Sequence, residues 1–324
     1  MNQILKIAIA QLNTQVGAID KNLGAIRAAR ASAAAMGADL VVTPELSISG
    51  YPPEDLVLKP AFVAACEEAA EALALDTADG GPGIIIGTPW RDRKTLHNAA
   101  FVLDGGKIIA RRKKHELPNY GVFDEKRVFV PGPAPGPVVF RGFRLGLMIC
   151  EDWWFPDVSE TLAESGAECL LSINGSPFED RKQSQRITLA VQRVVETGLP
   201  YMFAALTGGQ DEIVFDGASF ILNADRSLAV QMPHFEEAIT LTTWTRTDHG
   251  LVCQPQPLSP EPDRLALIYN AMMMGLRDYV NKNGFPGVVL GLSGGIDSAI
   301  SAAVAADALG PDRVRAVMLP SPYT

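Results

Sequence analysis

Short apolar runs alternate with longer Ala-rich stretches over roughly the first 250 residues, and that alternation restricts the chain to a layered α/β fold. Residues 5–10 (Leu-Lys-Ile-Ala-Ile-Ala) read as a strand, 20–36 as an Ala-rich helix with Asp20 as its N-cap, and 39–43 as a second strand. Residues 60–75 read as a helix. Strands follow at 83–87, 98–103 and 107–112, the last two joined by a tight turn at Gly105-Gly106. Buried strands at 144–149 and 169–172 flank an amphipathic helix starting near Asp157. A helix over 181–197 and strands over 201–205, 219–222 and 228–231 complete the series. The pattern then breaks at Cys253-Gln-Pro-Gln-Pro-Leu-Ser-Pro-Glu-Pro262, an extended Pro-rich stretch that reads as a semi-rigid linker. The expected division is residues 1–250, a linker over 251–262, and a second unit over 263–324 that opens with a helix from Asp263 to about Lys282.

With 47% hydrophobic residues the chain has ample material for a core. Its formal net charge of −9 argues against a nucleic-acid partner, which needs a basic face. Cys66, Cys150, Cys169 and Cys253 are scattered without Cys-x-x-Cys pairing, so neither a disulfide framework nor a zinc knuckle is indicated. His97, His234 and His249 are isolated, and no metal ligands are assigned. No apolar run reaches the ~18 residues of a membrane span, and the N-terminus enters a strand without a secretion signal. A soluble, cytoplasmic protein with no membrane partner is expected.

Near the end, Gly287-Val-Val-Leu-Gly-Leu-Ser-Gly-Gly-Ile-Asp-Ser-Ala299 runs from an apolar strand through two glycines into an Ala-rich helix. Backbone N–H groups of such a turn, and the helix N-terminus behind it, face one spot where a polyphosphate can sit. Gly294 and Gly295 let the backbone come close and take up positive φ. The plainer reading is a Gly-rich strand-to-helix turn, but motif and context agree on nucleotide binding. The run 293–298 resembles the pyrophosphate loop of the ATP pyrophosphatases, not the Gly-x4-Gly-Lys-Ser/Thr loop of P-loop NTPases. That resemblance implies that Gly291, Leu292, Ser293, Gly294, Gly295, Ile296, Asp297 and Ser298 hold ATP, with Mg2+ alongside. Because only residues 299–324 follow, the second unit is expected to be an incomplete domain.

Three polar residues each sit just past a strand: Glu45 after 40–44, Lys114 after 107–112 and Cys150 after 145–149. Strand ends in open α/β sheets gather ligands, so the three can converge on one pocket. A thiolate attacking a carbonyl or nitrile carbon needs a base for the thiol proton and a cation near the developing oxyanion. Cysteine, carboxylate and amine together make an amidase site without histidine. Singly, each has a plainer reading. Cys150 could be a small buried hydrophobe, Glu45 a helix cap, and Lys114 part of a solvated Arg-Arg-Lys-Lys face.

The flanks change that balance. Pro44-Glu45, Lys114-His-Glu-Leu-Pro-Asn-Tyr-Gly-Val-Phe-Asp-Glu125 and Cys150-Glu-Asp-Trp-Trp-Phe-Pro156 resemble the nitrilase superfamily, whose Glu-Lys-Cys triad has this chain order. The segment 117–125 looks like the glutaminase domain of the glutamine-dependent NAD synthetase family, which carries an ATP pyrophosphatase domain right after it. The resemblance spans roughly residues 4–245 and implies a four-layer α-β-β-α sandwich followed by the start of a doubly wound parallel α/β domain. It implies Cys150 as nucleophile, Glu45 as general base and Lys114 as third member. Tyr120, Ser176 and Lys182 match glutamine contacts, with Arg181 and Ser184 as close alternatives for the last two. Glu151 helps bind the substrate amine.

The implied function is release of ammonia from glutamine, its passage through a tunnel, and ATP- and Mg2+-dependent amidation of deamido-NAD. Tyr51, Pro52 and Pro53 lie where the tunnel mouth is expected, and the family forms homo-oligomers. With its second unit incomplete, the 324-residue chain alone is not expected to form NAD. Two other readings stay open. A stand-alone carbon–nitrogen hydrolase for nitrile, ω-amide or carbamoyl substrates explains the triad but not residues 293–298. A non-catalytic sensing or scaffolding fragment is disfavoured by the intact Glu45, Lys114 and Cys150. Trp153 and Trp154 are expected to be pocket walls or subunit contacts, Met272 to Met274 packing residues, and Cys66 and Cys169 inert.

Overall fold

A computed structural model of the chain describes residues 3–248 and 250–318; His249 lies outside the described residues. In the first half, strands β1 (Ile4–Gln11), β2 (Leu40–Val42), β3 (Gly83–Asp92), β4 (Thr95–Asp104) and β5 (Lys107–Lys113) are interrupted by helices α1 (Ile19–Ala35) and α2 (Pro60–Asp76). The short helix α3 (Glu125–Val128) precedes β6 (Val138–Phe140), β7 (Phe143–Ile149), α4 (Pro156–Glu164), β8 (Cys169–Asn174) and α5 (Lys182–Thr197). Then come β9 (Tyr201–Ala205), β10 (Thr207–Gln210), β11 (Ile213–Asp216), β12 (Phe220–Leu222), β13 (Leu228–Gln231), β14 (Ala238–Thr247) and β15 (Gly250–Cys253). The second unit holds α6 (Arg264–Lys282), β16 (Val288–Leu292), α7 (Ile296–Leu309) and β17 (Val314–Met318).

Two mixed sheets stack face to face, in the orders β15-β14-β1-β2-β3-β4-β5 and β13-β12-β9-β8-β7-β6. The period-two alternation of each strand divides its side chains between two cores. From β1, Leu5, Ile7 and Ile9 enter the layer between the sheets, where they meet Leu145, Leu147 and Ile149 of β7. Ala8 and Ala10 face outward onto Ile26, Ala29 and Ala33 of α1 and Cys66, Ala70 and Leu73 of α2. Small residues on that face let the helices approach closely. On the far side, Met148, Leu170 and Phe203 pack under Val158, Leu162, Ala190 and Val194 of α4 and α5. The result is the four-layer α-β-β-α sandwich. Each fully buried Ile or Leu contributes about 1.5–3 kcal/mol to holding the layers together.

Several expectations are corrected. Asp20 is not the N-cap of α1: the helix starts at Ile19 behind Ala18, so Asp20 sits in the first turn, where its charge suits the positive helix end. Trp153 is no pocket wall. It is fully buried against Tyr201 and Phe203, and its indole N–H donates to Asn174 Oδ1 at 3.0 Å. Of the methionine run only Met274 is buried, while Met272 is exposed. Residues 251–253 are not linker, because β15 pairs with β14 through Cys253 opposite Trp244. Strands β6, β10, β11, β14 and β15 also lie outside the sequence expectation. β10 reads Thr-Gly-Gly-Gln, with no intrinsic strand preference, and gets its conformation from pairing with β11.

α6 is capped by Asp263, whose Oδ1 accepts from Leu265 N and Ala266 N at 2.9 and 3.0 Å. It docks on the sandwich through buried polar groups. Asp278 Oδ2 accepts from Asn13 Nδ2 and Gly209 N, both at 2.7 Å, and Lys282 Nζ donates to Thr14 O and Gly209 O at 2.8 and 2.7 Å. Beyond it, β16 and β17 pair in parallel across α7, the first β-α-β turn of a doubly wound sheet.

Candidate functional site

Glu45 follows β2, Lys114 follows β5 directly, and Cys150 follows β7. Because the strands all end on one side of the sandwich, their first loop residues meet. Glycine makes the approach possible at Gly87, where an added Cβ would lie 2.1 Å from Leu46 N and 2.7 Å from Glu45 C. The strand therefore presses directly on the backbone that carries Glu45.

Lys114 is completely buried between two carboxylates. Its Nζ donates to Glu45 Oε1 at 2.7 Å and to Glu125 Oε1 at 2.8 Å. Burial alone would lower the Lys114 ammonium, but Glu125 and Glu45 outweigh it and hold the group well above its ordinary range, so it stays charged. Glu45 also accepts from Asn98 Nδ2 and from Gly175 N, each at 2.8 Å. A carboxylate fixed by three donors is aimed rather than free to rotate. Glu125 accepts from Tyr51 OH at 3.0 Å. Burial pushes its carboxyl up, with Glu45 adding and Lys114 opposing.

Cys150 is buried, and its backbone sits at φ 45, a left-handed conformation that a non-glycine residue rarely adopts. Asp152 holds this turn. Its Oδ2 accepts from Ile149 N at 2.9 Å, while its Oδ1 accepts from His115 N and Glu116 N, both at 2.8 Å. One side chain thus fastens the Cys150 turn to the loop that carries Lys114. Burial pushes the Cys150 thiol well above its ordinary value and Glu45 adds to that, while Lys114 opposes. The resting group is a protonated thiol, electrostatically coupled to Glu45, Lys114 and Glu125.

Tyr120 OH donates to the Glu151 carboxylate at 3.0 Å, beside the thiol. Lys182 opens α5, pairs with Glu179 at 2.8 Å, and places Nζ 5.2 Å from the Trp154 ring centre. Its charge is felt at Glu151. Ser176 is buried one residue past Gly175, and its Oγ is taken by Arg186 Nη2 at 3.1 Å. Of the alternatives to Ser176 and Lys182, Arg181 is the left-handed N-cap residue of α5, at φ 67, and Ser184 Oγ donates to Arg181 O. Glu125, Asp152, Asn98 and Arg186 are absent from the sequence reading, although Glu125 ends the 114–125 segment quoted there.

Tyr51, Pro52 and Pro53, with Phe123, Glu125 and Phe129, line a cavity of about 260 Å³ on the Glu125 side of the cluster. In the second unit, Gly294 takes φ 84, but Gly295, expected at positive φ, is the extended N-cap of α7 at φ −82, and Ser298 Oγ donates to Gly295 O at 3.0 Å. This is the strand–loop–helix geometry of a phosphate cradle, and residues 293–296 are exposed.

Residues 6–250 match the Carbon-nitrogen hydrolase family, and residues 268–324 match NAD synthase. The chain is 47% identical over 324 residues to a glutamine-dependent NAD(+) synthetase of Rhodobacter capsulatus, covering all of this chain and 58% of the relative. It is 42% identical to one from Xylella fastidiosa, of which it covers 60%. A solved glutamine-dependent NAD+ synthetase from Acinetobacter baumannii, in complex with adenosine diphosphate, superposes with a TM-score of 0.94 at 36% identity, over 99% of this chain and 60% of that one. An amidase from Nesterenkonia sp. superposes with a TM-score of 0.66 at 26% identity, over 73% of this chain and 89% of that one. The chain thus spans about 60% of the length of the curated relatives it matches.

Proposed function

This chain belongs to the carbon–nitrogen hydrolase family, and from that membership we propose that it takes ammonia from glutamine for the ATP-dependent amidation of deamido-NAD. The observation that carries the reading is Lys114 held at 2.7 and 2.8 Å between Glu45 and Glu125, next to the buried Cys150.

Glu45 takes the thiol proton as Cys150 Sγ attacks the side-chain amide carbon of glutamine. Lys114 has three N–H donors, of which two are engaged by carboxylates, so the third is left for the oxyanion. Glu45 returns the proton to the departing nitrogen, and ammonia leaves a Cys150 thioester. Water, deprotonated by Glu45, then cleaves the thioester to glutamate and restores the thiol. Glu151 and Tyr120 suit the ammonium end of glutamine, and Lys182 and Ser176 its carboxylate end. Ammonia leaves through the cavity behind Tyr51 and Pro52.

The loop from Gly291 to Ser298 holds the phosphates of ATP with its accompanying Mg2+. Support comes from the A. baumannii relative, solved with adenosine diphosphate. Assembly into a homo-oligomer and a cytoplasmic location belong to the same reading.

The test is release of glutamate from glutamine by this chain, set against nitriles, ω-amides and carbamoyl compounds. Glutamine is expected to be preferred, and Cys150→Ala to abolish turnover. Preference for a nitrile or carbamoyl substrate would replace this reading with that of a stand-alone hydrolase.

A further inference from the structure

We propose that Arg186 is a positioning residue for this site, acting at a distance on the general base through the turn over residues 175–177. The inference rests on Glu45 being the base of the proposed amide hydrolysis.

Arg186 lies on α5, fully buried, and touches none of the three reacting groups. Its Nη1 donates to both oxygens of Asp216, at the end of β11, at 2.9 Å. Its Nη2 donates to Ser176 O at 3.0 Å, Ser176 Oγ at 3.1 Å and Pro177 O at 3.1 Å. Two consecutive carbonyls and a hydroxyl are therefore tied to one planar fork, itself fixed by a carboxylate. Immediately before them, Gly175 N donates to Glu45 Oε2 at 2.8 Å. Just after, Phe178 N donates to Val214 O at 2.7 Å.

The turn has no slack on its inner side. A Cβ on Gly175 would come within 2.9 Å of Tyr51 Cγ and 3.2 Å of Glu45 Oε2. Arg186 holds it from outside, with Tyr51 and Glu45 on the inside. If the fork lets go, the Gly175 N–H can move outward, and Glu45 loses the donor that fixes the oxygen facing away from Lys114. Displacements of such a base matter, since a misplacement of about 1 Å can cost on the order of 100-fold in rate. A buried Arg–Asp pair is a poor source of stability compared with apolar packing, so a geometric role accounts for its presence better than a stabilising one.

The test uses two variants of the whole chain. Arg186→Lys keeps a charge beside Asp216 but replaces the fork with a single ammonium that cannot hold both carbonyls. The double variant Arg186→Met/Asp216→Leu removes both charges, so neither is left buried and unpaired. For each, kcat and KM for glutamine, the alkylation rate of Cys150 by iodoacetamide, and the melting temperature are measured.

In both variants kcat and the alkylation rate are expected to fall on the order of tenfold, alongside any rise in KM from the loosened Ser176 contact, with the folded fraction at assay temperature unchanged. Rates per folded molecule equal to wild type would overturn the proposal, even with a lowered melting temperature. So would a change in KM alone. If the unaltered chain does not hydrolyse glutamine but Cys150 is still alkylated, the functional reading falls. The alkylation comparison then decides the role of Arg186 by itself.

Discussion

Lys114→Met removes the ammonium that two fully or nearly fully buried carboxylates share, at 2.7 and 2.8 Å. Breaking a buried ion pair from one side costs about 3–5 kcal/mol, because the remaining charge is left without its partner. Here two carboxylates that share the Asn98 amide lose that partner, and Glu125, already pushed up to about 7 by burial, can relieve its repulsion with Glu45 only by taking up a proton on folding. Against a typical domain stability of ~5–15 kcal/mol, that is a large fraction. The compensating change is Glu125→Gln on the same background. It removes one of the two negative charges while keeping an oxygen for Tyr51 OH. Glu45 still accepts from Asn98 and Gly175 at 2.8 Å. The double variant is therefore expected to recover about half of the loss, ~2 kcal/mol. On the proposed mechanism activity should not return, since Lys114 is its oxyanion donor. Urea unfolding at neutral pH, followed by tryptophan fluorescence, gives the stabilities, and glutamate release gives the activity. A double variant no more stable than Lys114→Met would refute the view that unpaired carboxylate charge dominates the cost.

Gly175→Ala should cost about 1–3 kcal/mol of stability by overpacking, and more in turnover than in KM, because the added methyl presses on Tyr51 and Glu45; wild-type rates from that variant would contradict the tight turn. A diazoketone analogue of glutamine should label Cys150 alone, since Cys66, Cys169 and Cys253 are buried and no lysine is among the charges acting on them, and mass spectrometry of a digest showing equal labelling elsewhere would point to simple thiol exposure. Burial pushes Cys66, Cys169 and Cys253 each up to about 12, so above pH ~9 the unfolded chain releases thiol protons that the folded chain keeps. Stability should then fall with rising pH by about 1.4 kcal/mol per pH unit for each thiol; a urea midpoint unchanged between pH 8 and 10 would count against those burials.

Glu45 and Cys150 stand out in the sequence because each follows an apolar strand with a polar residue, whereas Lys114 follows Arg111, Arg112 and Lys113 and is picked out by its flanking segment 114–125. Glu125 carries no such signal. Its neighbours Asp124 and Lys126 are ordinary surface residues, and its burial comes from Tyr51 and Asn98, which arrive from two other segments. Asp152 and Arg186 are hidden for the same reason. Asp152 reads as one more acid after Glu151, yet its three partners are backbone N–H groups at positions 115, 116 and 149. Arg186 follows the polar run Gln183-Ser184-Gln185 in a helix, and only the tertiary fold turns it inward against Asp216. Helices and long strands follow from local pattern. Polar side chains that satisfy distant backbone do not, because their partners are fixed by topology rather than spacing.

On the proposed mechanism, the same cluster lets Cys150 be both nucleophile and quiet. Burial and Glu45 favour the protonated thiol, whereas Lys114 favours the thiolate. A thiol with raised proton affinity is a poor target for passing oxidants and electrophiles, and once deprotonated it is intrinsically a stronger nucleophile. Attack then depends on a substrate carbonyl arriving at the free N–H of Lys114. Negative charge leaving sulfur for the carbonyl oxygen moves toward that ammonium, while the thiol proton moves to a carboxylate already held by three donors. Glu45 and Glu125, which with Glu151 suppress the thiolate at rest, are also what keep Lys114 charged. Neutralising Glu125 should therefore ease ionisation of Cys150 and weaken the hold on Lys114 at once. The variant Glu125→Gln is expected to raise the alkylation rate of Cys150 while lowering kcat for amide hydrolysis. A parallel rise or fall of the two rates would show that thiol ionisation and oxyanion stabilisation are not balanced through this one carboxylate.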